Sequence, residues 1–500
     1  MINRHLAPLA LAALLVALVY SKLSSAYYCC PDDFFDIHRA SFEDRQDPAR
    51  IFTTTHGGTP KYRPLHRSLT YITYWLGGGS PVVFRIRNLS FHLLSVAMVY
   101  GIAWMLFASP AIAFTGAVLF GLHPLANQSV AVAIWTNATA NSLALLSLFL
   151  FIYGIRTKSR RYLWLHLSLL TAWVTLFVYE GGLAIFAWMF AYLLLQSLRE
   201  QRLAVDRRFL LVLTIEIAIL GLAFAGIRRL VVRAPMRMVP AATIAKNWVM
   251  DNGVFLLPVD SILAHDWFGT PLPSEAQNNP PKPAVRWAVL GGLLIAAALW
   301  CWRKPIFERM QAVAWPEILF LGFSGAFSLT PMLLFMPHPS ETYLYLPAAF
   351  YVLITSAFIW QFFRSPRVSL MVAVLLILLA GTATWNRNER VVACGRMAHR
   401  LLSGLPLKRW QTGSWNLYLA NVPQTQTPPP RYGIYSFQGT STIDAGDSGT
   451  HTIQLALQAL TGNQRITADV VPKADLPKLC PGATACFWVQ PDGSVSTAGE

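Results

Sequence analysis

Charge is what this chain lacks. Asp, Glu, Lys and Arg make up only 13% of its 500 residues, against 54% hydrophobic ones, which excludes an ordinary soluble protein of this length. The alternating apolar pattern of barrel strands is also missing. The apolar runs are continuous, and many reach the about 20 residues a helix needs to cross a hydrocarbon core. Cysteine is sparse: six, at 29, 30, 301, 394, 480 and 486, in no zinc spacing. Cys480 and Cys486 could pair in an oxidising compartment, whereas the adjacent Cys29 and Cys30 would strain a mutual bridge. There is no internal repeat and no nucleic-acid motif, so the net charge of +16 needs another explanation, and nucleic acid is not expected as a partner.

Membrane topology supplies it. Apolar runs lie at 6–20, 88–107, 109–122, 130–154, 162–178, 181–198, 209–230, 285–302, 315–335, 341–362 and 368–385. That predicts an all-α polytopic membrane protein of about eleven transmembrane helices. With the N-terminus in the cytoplasm and the helices alternating, the inner loops are short and basic: 156–161, 199–208, 303–309 and 364–367. The first outer loop (27–87), a long outer loop (231–284) and everything after Trp385 then hold most of the acidic residues. The first run also reads as a signal peptide; an uncleaved helix is the reading taken here. The expected division is a multi-pass domain at 1–395, a linker at 396–430 with Pro428-Pro429-Pro430, and a small extracytoplasmic domain or tail at 431–500. Sequons at Asn88, Asn127 and Asn137 fall at or inside helices and are discounted.

Seven polar positions fall on the outer face. Asp32 and Asp33 open the first outer loop, where a carboxylate at a low-dielectric boundary can act as a base; two adjacent aspartates could also hold a divalent metal, although no cofactor is required. Arg63 precedes an apolar stretch, Leu69 to Leu76, too short to span and better suited to an interfacial helix. His123 ends one helix, Glu180 marks a tight turn before Gly181-Gly182, and Glu341 and Arg387 flank the last two spans. Each has a blander reading as a cap, a turn or a headgroup contact. Arg228, Arg229, Arg233 and Arg237 break the charge rule at the outer end of the 209–230 run. A lipid phosphate, either a headgroup or a lipid-linked donor, is the natural partner of such a cluster. Glu216, inside that helix, either has a function or pairs with a neighbouring helix.

In order, the chain presents Asp32-Asp33, Tyr62-Arg63-Pro64-Leu65, Leu122-His123-Pro124-Leu125-Ala126-Asn127-Gln128, Tyr179-Glu180-Gly181-Gly182, Glu341-Thr342-Tyr343-Leu344-Tyr345-Leu346-Pro347 and Trp385-Asn386-Arg387-Asn388. This series resembles the membrane half of the transmembrane and tetratricopeptide-repeat O-mannosyltransferases and their bacterial relatives, and more broadly the GT-C class of glycosyltransferases. The resemblance covers about residues 5–395. It implies an inverting transfer of a hexose from a polyprenyl-phosphate donor to a hydroxyl of a glycan, lipid or protein acceptor, in a bacterial inner membrane with the C-terminus periplasmic. It places the general base on Asp32 or Asp33, the donor phosphate on Arg63 and the cluster Arg228, Arg229 and Arg233, and the cleft lining on His123, Glu180, Glu341 and Arg387. The chain departs from the family at Thr136-Asn137-Ala138-Thr139, where a charged pair is usual, at Val178-Tyr179 and at Thr342, and no tetratricopeptide repeats follow. A flippase for lipid-linked sugars, or an inactive scaffold of the same fold, are the competing readings.

Overall fold

A computed structural model describes residues 3–28, 30–55, 61–157, 160–201, 205–232, 238–256, 310–311, 313–334, 343–363, 365–422, 452–471, 473–482, 485–490 and 492–497. The chain is a polytopic α-helical membrane protein. Among the described residues nine helices are long and apolar enough to span, and Pro110–Gly121 is a tenth, shorter apolar helix. The run at 285–302, expected to be a further helix, lies outside the described residues.

The spans pack through small residues and rings rather than charge. Ala113, Ala117, Ala144, Ala172, Trp188, Tyr192 and Phe350 all belong to one buried apolar cluster. The opposite faces carry exposed Leu and Ile, as at Leu211, Ile215, Ile219 and Leu222, the stripe that lipid requires. On the outer surface of this bundle half-buried Glu216 pairs with exposed His166 of the neighbouring helix at 3.0 Å.

Irregular segments gather at one end of the bundle. The first span gives way at Ala26 to a short helix, Pro31–His38, and Pro64–Gly77 forms a helix too short to span, with Ile72, Trp75 and Leu76 exposed. The helices Pro124–Ala131 and Asn137–Thr157 are separated by a non-helical stretch at 132–136. The sequon residues Asn88 and Asn127 are fully buried.

The final helix overruns the boundary expected at 395. It runs from Pro366 to Ser403, 38 residues or about 57 Å at 1.5 Å per residue, far longer than the hydrocarbon core. Its second half is a polar strut. The stretch expected to be linker also contains a strand, β1 (Trp415–Ala420). β1 pairs in parallel with β2 (Ile466–Val471) and β3 (Ala485–Val489), and β3 pairs antiparallel with β4 (Val495–Thr497), in the order β2-β1-β3-β4. The helix Thr452–Thr461 lies between β1 and β2 in sequence, the connection that a parallel pair requires. Cys480 and Cys486 form a disulfide.

This small domain does not hang free. Its core residues Leu417, Ile453, Leu457 and Phe487 continue into Leu401 and Leu402 of the strut and Tyr28, Phe34 and Ile37 of the first loop. The strut also grips that loop through a glycine: a Cβ on Gly395 would stand 2.6 Å from the Tyr27 nitrogen and 2.7 Å from its carbonyl oxygen. Gly395→Ala is therefore expected to push strut and loop apart and to destabilise the protein by about 1–3 kcal/mol. Thermal melting in detergent checks this, and an unchanged midpoint would show that the approach is not tight.

Candidate functional site

Proline and a carboxylate build the first corner. Pro31 fits the opening turn of the helix Pro31–His38, and Asp33 forms a reciprocal capping box with Cys30. Asp33 is fully buried. Its Oδ2 accepts from the Cys30 amide at 3.1 Å and its Oδ1 from the Ile134 amide at 3.0 Å. Both oxygens are thus committed to backbone, and Asp33 is a structural tie between the first loop and the stretch at 132–136.

Asp32, its neighbour in sequence, points elsewhere. It is exposed to solvent yet surrounded by protein groups, and its Oδ2 accepts from the Trp135 indole at 3.1 Å. Burial and the charge of Asp36 push its carboxyl above the usual range, opposed by the Trp135 hydrogen bond, Lys61 and His66. Asp36 follows one helical turn later on the same face. It is buried and lies 3.2 Å from His66 Nε2, while His66 Nδ1 lies 2.6 Å from the Thr136 hydroxyl. In the neutral tautomer that donates from Nε2 to Asp36, Nδ1 accepts from Thr136.

Cations lie beside this carboxylate face. Arg63 donates from Nε (2.8 Å) and Nη2 (2.6 Å) to Glu180 Oε2, with its guanidinium 4.5 Å above the Tyr179 ring. Its charge is thereby balanced. Lys61 is half-buried within electrostatic reach of Asp32, Arg63 and Glu180, and burial and Arg63 draw its ammonium below the usual lysine range. Among the described residues Lys61 makes no ion pair, so it leaves the group with a cation to offer.

The remaining expected residues are placed differently. Arg228 is half-buried and Arg229 exposed at the end of the helix Arg207–Val231, where Phe224 and Val232 pack on Tyr62, the residue between Lys61 and Arg63. Arg233 and Glu341 lie outside the described residues. His123 and Arg387 lie in a second group of contacts, in which His123 is half-buried with its ring 5.9 Å from that of Phe255. Arg387 is fully buried and donates to the Pro124 carbonyl at 2.8 Å. Thr384 reaches the Leu122 carbonyl at 2.6 Å, and Asn388 accepts from Asn127 at 2.8 Å and donates to the Val19 carbonyl at 2.9 Å. His123 Nδ1 accepts from the Leu125 amide at 3.2 Å, and burial, aided by Arg387, pushes its pKa down to about 3. A neutral imidazole used as a helix cap is not a base in waiting. Thr384, Arg387, Asn388 and Asn127 thus join helices here.

Four contributors escaped the sequence reading as site residues: Asp36, Lys61, His66 and Trp135. Asp36 and His66 had a signal, since Asp36 stands four residues from Asp32 and His66 three from Arg63, each one turn of helix. Trp135 had none, because only the tertiary fold brings it to Asp32. As to a metal, the two aspartates do not converge on a shared ligand, and no group of three His, Cys, Asp or Glu residues is arranged for one among the described residues.

No family model and no curated protein sequence matches the chain. Among solved structures it is similar to the oligosaccharyltransferase of Archaeoglobus fulgidus in its apo form, at 11% identity and a TM-score of 0.46 over 86% of this chain and 64% of that one. It is also similar to ArnT from Cupriavidus metallidurans bound to undecaprenyl phosphate, at 15% identity and a TM-score of 0.47 over 98% and 97%. The chain spans just under two thirds of the length of the first of these.

The two adjacent aspartates should separate cleanly in stability. Asp33→Asn sets an amide NH₂ against a backbone N–H and is expected to cost about 1–3 kcal/mol. Asp32→Asn should stay within about 0.5 kcal/mol of wild type. Chemical denaturation of the two variants in detergent checks this; equal effects would contradict the assignment.

Proposed function

We propose that the chain is a membrane glycosyltransferase that moves a sugar from a polyprenyl-phosphate donor to a hydroxyl acceptor, with Asp32 as general base. The observation that carries this reading is the pairing of a solvent-reachable carboxylate, held by Trp135, with a half-buried lysine that has no ion-pair partner among the described residues. One group can take a proton and the other can meet a phosphate, at the same end of a membrane bundle. The ordered motifs read from the sequence point the same way. The short basic loops read from the sequence favour the non-cytoplasmic face for this site, and a bacterial inner membrane is part of the same proposal.

The step is a single displacement. The acceptor oxygen attacks the anomeric carbon from the face opposite the phosphate, which inverts the centre. The bond from the anomeric carbon to the phosphate oxygen breaks, polyprenyl phosphate leaves as an anion, and the acceptor proton goes to Asp32. A raised carboxyl pKa strengthens the base at neutral pH. Lys61 stabilises the charge that develops on the leaving phosphate. The Arg63–Glu180 pair, neutral overall, contributes N–H donors within electrostatic reach of Lys61. A scaffold without activity is favoured by one observation, the loss of Arg63's free charge to Glu180; the flippase reading has no comparable support in the geometry.

The test is sugar transfer by purified membranes supplied with a panel of polyprenyl-phosphate sugars. Asp32→Asn is expected to lower kcat by about 10²–10⁴-fold. Lys61→Ala should raise the KM for the donor. Wild-type protein that is folded yet transfers from no donor would sink the reading in favour of a scaffold.

A further inference from the structure

One carboxyl group at the same end of the bundle takes no part in the arrangement above. Asp251 lies on the helix Ala241–Leu256, whose inward stripe runs through Ile244, Asn247, Asp251 and Phe255, spaced three to four residues apart. Ile244 and Phe255 pack on the apolar cluster that contains Tyr179 and Tyr343. Tyr179 is the ring beneath Arg63, and the Tyr343 phenol is within electrostatic reach of Arg63, Asp251 and Glu180 together. Asp251 therefore sits behind the tyrosines that flank the Arg63–Glu180 pair.

Asp251 is fully buried, and among the described residues neither of its carboxyl oxygens has a hydrogen-bond partner. Folded proteins rarely keep such a group, because burial strips its water and nothing replaces it. Asn247, one turn away on the same stripe, is equally deep but is partnered. A leucine at 251 would fill the position at less cost, so the carboxyl points to a partner that arrives from outside. Burial pushes it up to about 8, so at neutral pH it is mostly protonated. In that form it has one O–H to donate and a carbonyl oxygen to accept. A hydroxyl on a sugar ring offers the complementary donor and acceptor.

We propose that Asp251 grips a ring hydroxyl of the sugar carried by the lipid-linked donor and so decides which sugar is accepted, an inference that rests on the donor reading given above. Lys61 meets the phosphate, and Asp251 meets the sugar on the far side of Tyr343. Discrimination through a buried polar group is steep, because a sugar lacking the matching hydroxyl leaves the carboxyl unpaired.

The full chain, purified in detergent, tests this by binding of undecaprenyl phosphate alone and of a panel of undecaprenyl-phosphate hexoses. Wild type is expected to bind at least one hexose-bearing lipid more tightly than the bare lipid. Asp251→Leu should weaken that lipid by about 10–100-fold, leave the bare lipid unchanged, and keep or raise the melting temperature. Asp251→Asn, which retains a donor and an acceptor, should keep most of the preference. The proposal is overturned if wild type prefers no hexose to the bare lipid, or if Asp251→Leu binds the preferred hexose as wild type does. It is equally overturned if that variant melts lower and loses both lipids together, which would mark a structural residue. Failure of wild type to bind either lipid would overturn the donor reading itself, and this proposal with it.

Discussion

Backbone without a helix at a membrane boundary must have its polar groups satisfied by the protein, and the architecture of this end of the bundle follows from how that is done. The stretch at 132–136 interrupts two helices and exposes a run of amides and carbonyls. Arg87 donates to the carbonyls of Ala133, Ile134 and Trp135 at 3.3, 3.1 and 2.9 Å, and Asn88 to those of Val132 and Ala133 at 2.9 and 3.1 Å. Asp33 accepts from the Ile134 amide. Once these bonds are made, Trp135 and Thr136 have fixed positions, and through them Asp32 and His66 do as well. Charged groups that do no chemistry thus hold the groups proposed to do it.

The same economy governs the other buried charges. Arg85 ties the Ala26 and Tyr27 carbonyls, where the first span ends, to Ala131. Arg67 is buried and binds Asp44, the Arg50 carbonyl and the Thr54 hydroxyl. Arg387 holds Pro124. Arg85 and Arg67 each reach several acceptors from one planar head, which suits arginine to irregular backbone. Removing any one would strand carbonyls, and removing Arg67 would also leave the Asp44 carboxylate without its arginine, so this end of the bundle should behave as a single cooperative unit. The C-terminal sheet joins that unit: its helix Thr452–Thr461 packs on the loop helix that bears Asp32.

Much of the fold was legible because membrane helices announce themselves by length and composition alone. The short helix after Arg63 was legible for the same reason, as an apolar run too short to span. The site was less so. Asp32 and Asp33 look equivalent in sequence, and only the position of Ile134 separates them, one bound to backbone and one open. Arg387 and His123 carry chemically versatile side chains, but their role is set by carbonyls at Pro124 and an amide at Leu125 that no pattern reveals. The long strut was misjudged at its end because hydropathy stops near residue 385 while helical hydrogen bonding does not. The strand β1 was missed because its partners lie far along the chain, and strand pairing at that distance leaves little local trace.

If Asp32 accepts the proton in transfer, the pH dependence of kcat/KM follows its ionisation. Because burial and Asp36 raise the carboxyl pKa, the base is lost below an apparent pKa that lies above the ordinary aspartate value of about 3.9. The account predicts that kcat/KM rises with pH through that point and that Asp32→Asn removes this limb together with most of the rate. A limb that survives in Asp32→Asn, or a wild-type profile that stays flat across the acid range, would contradict it.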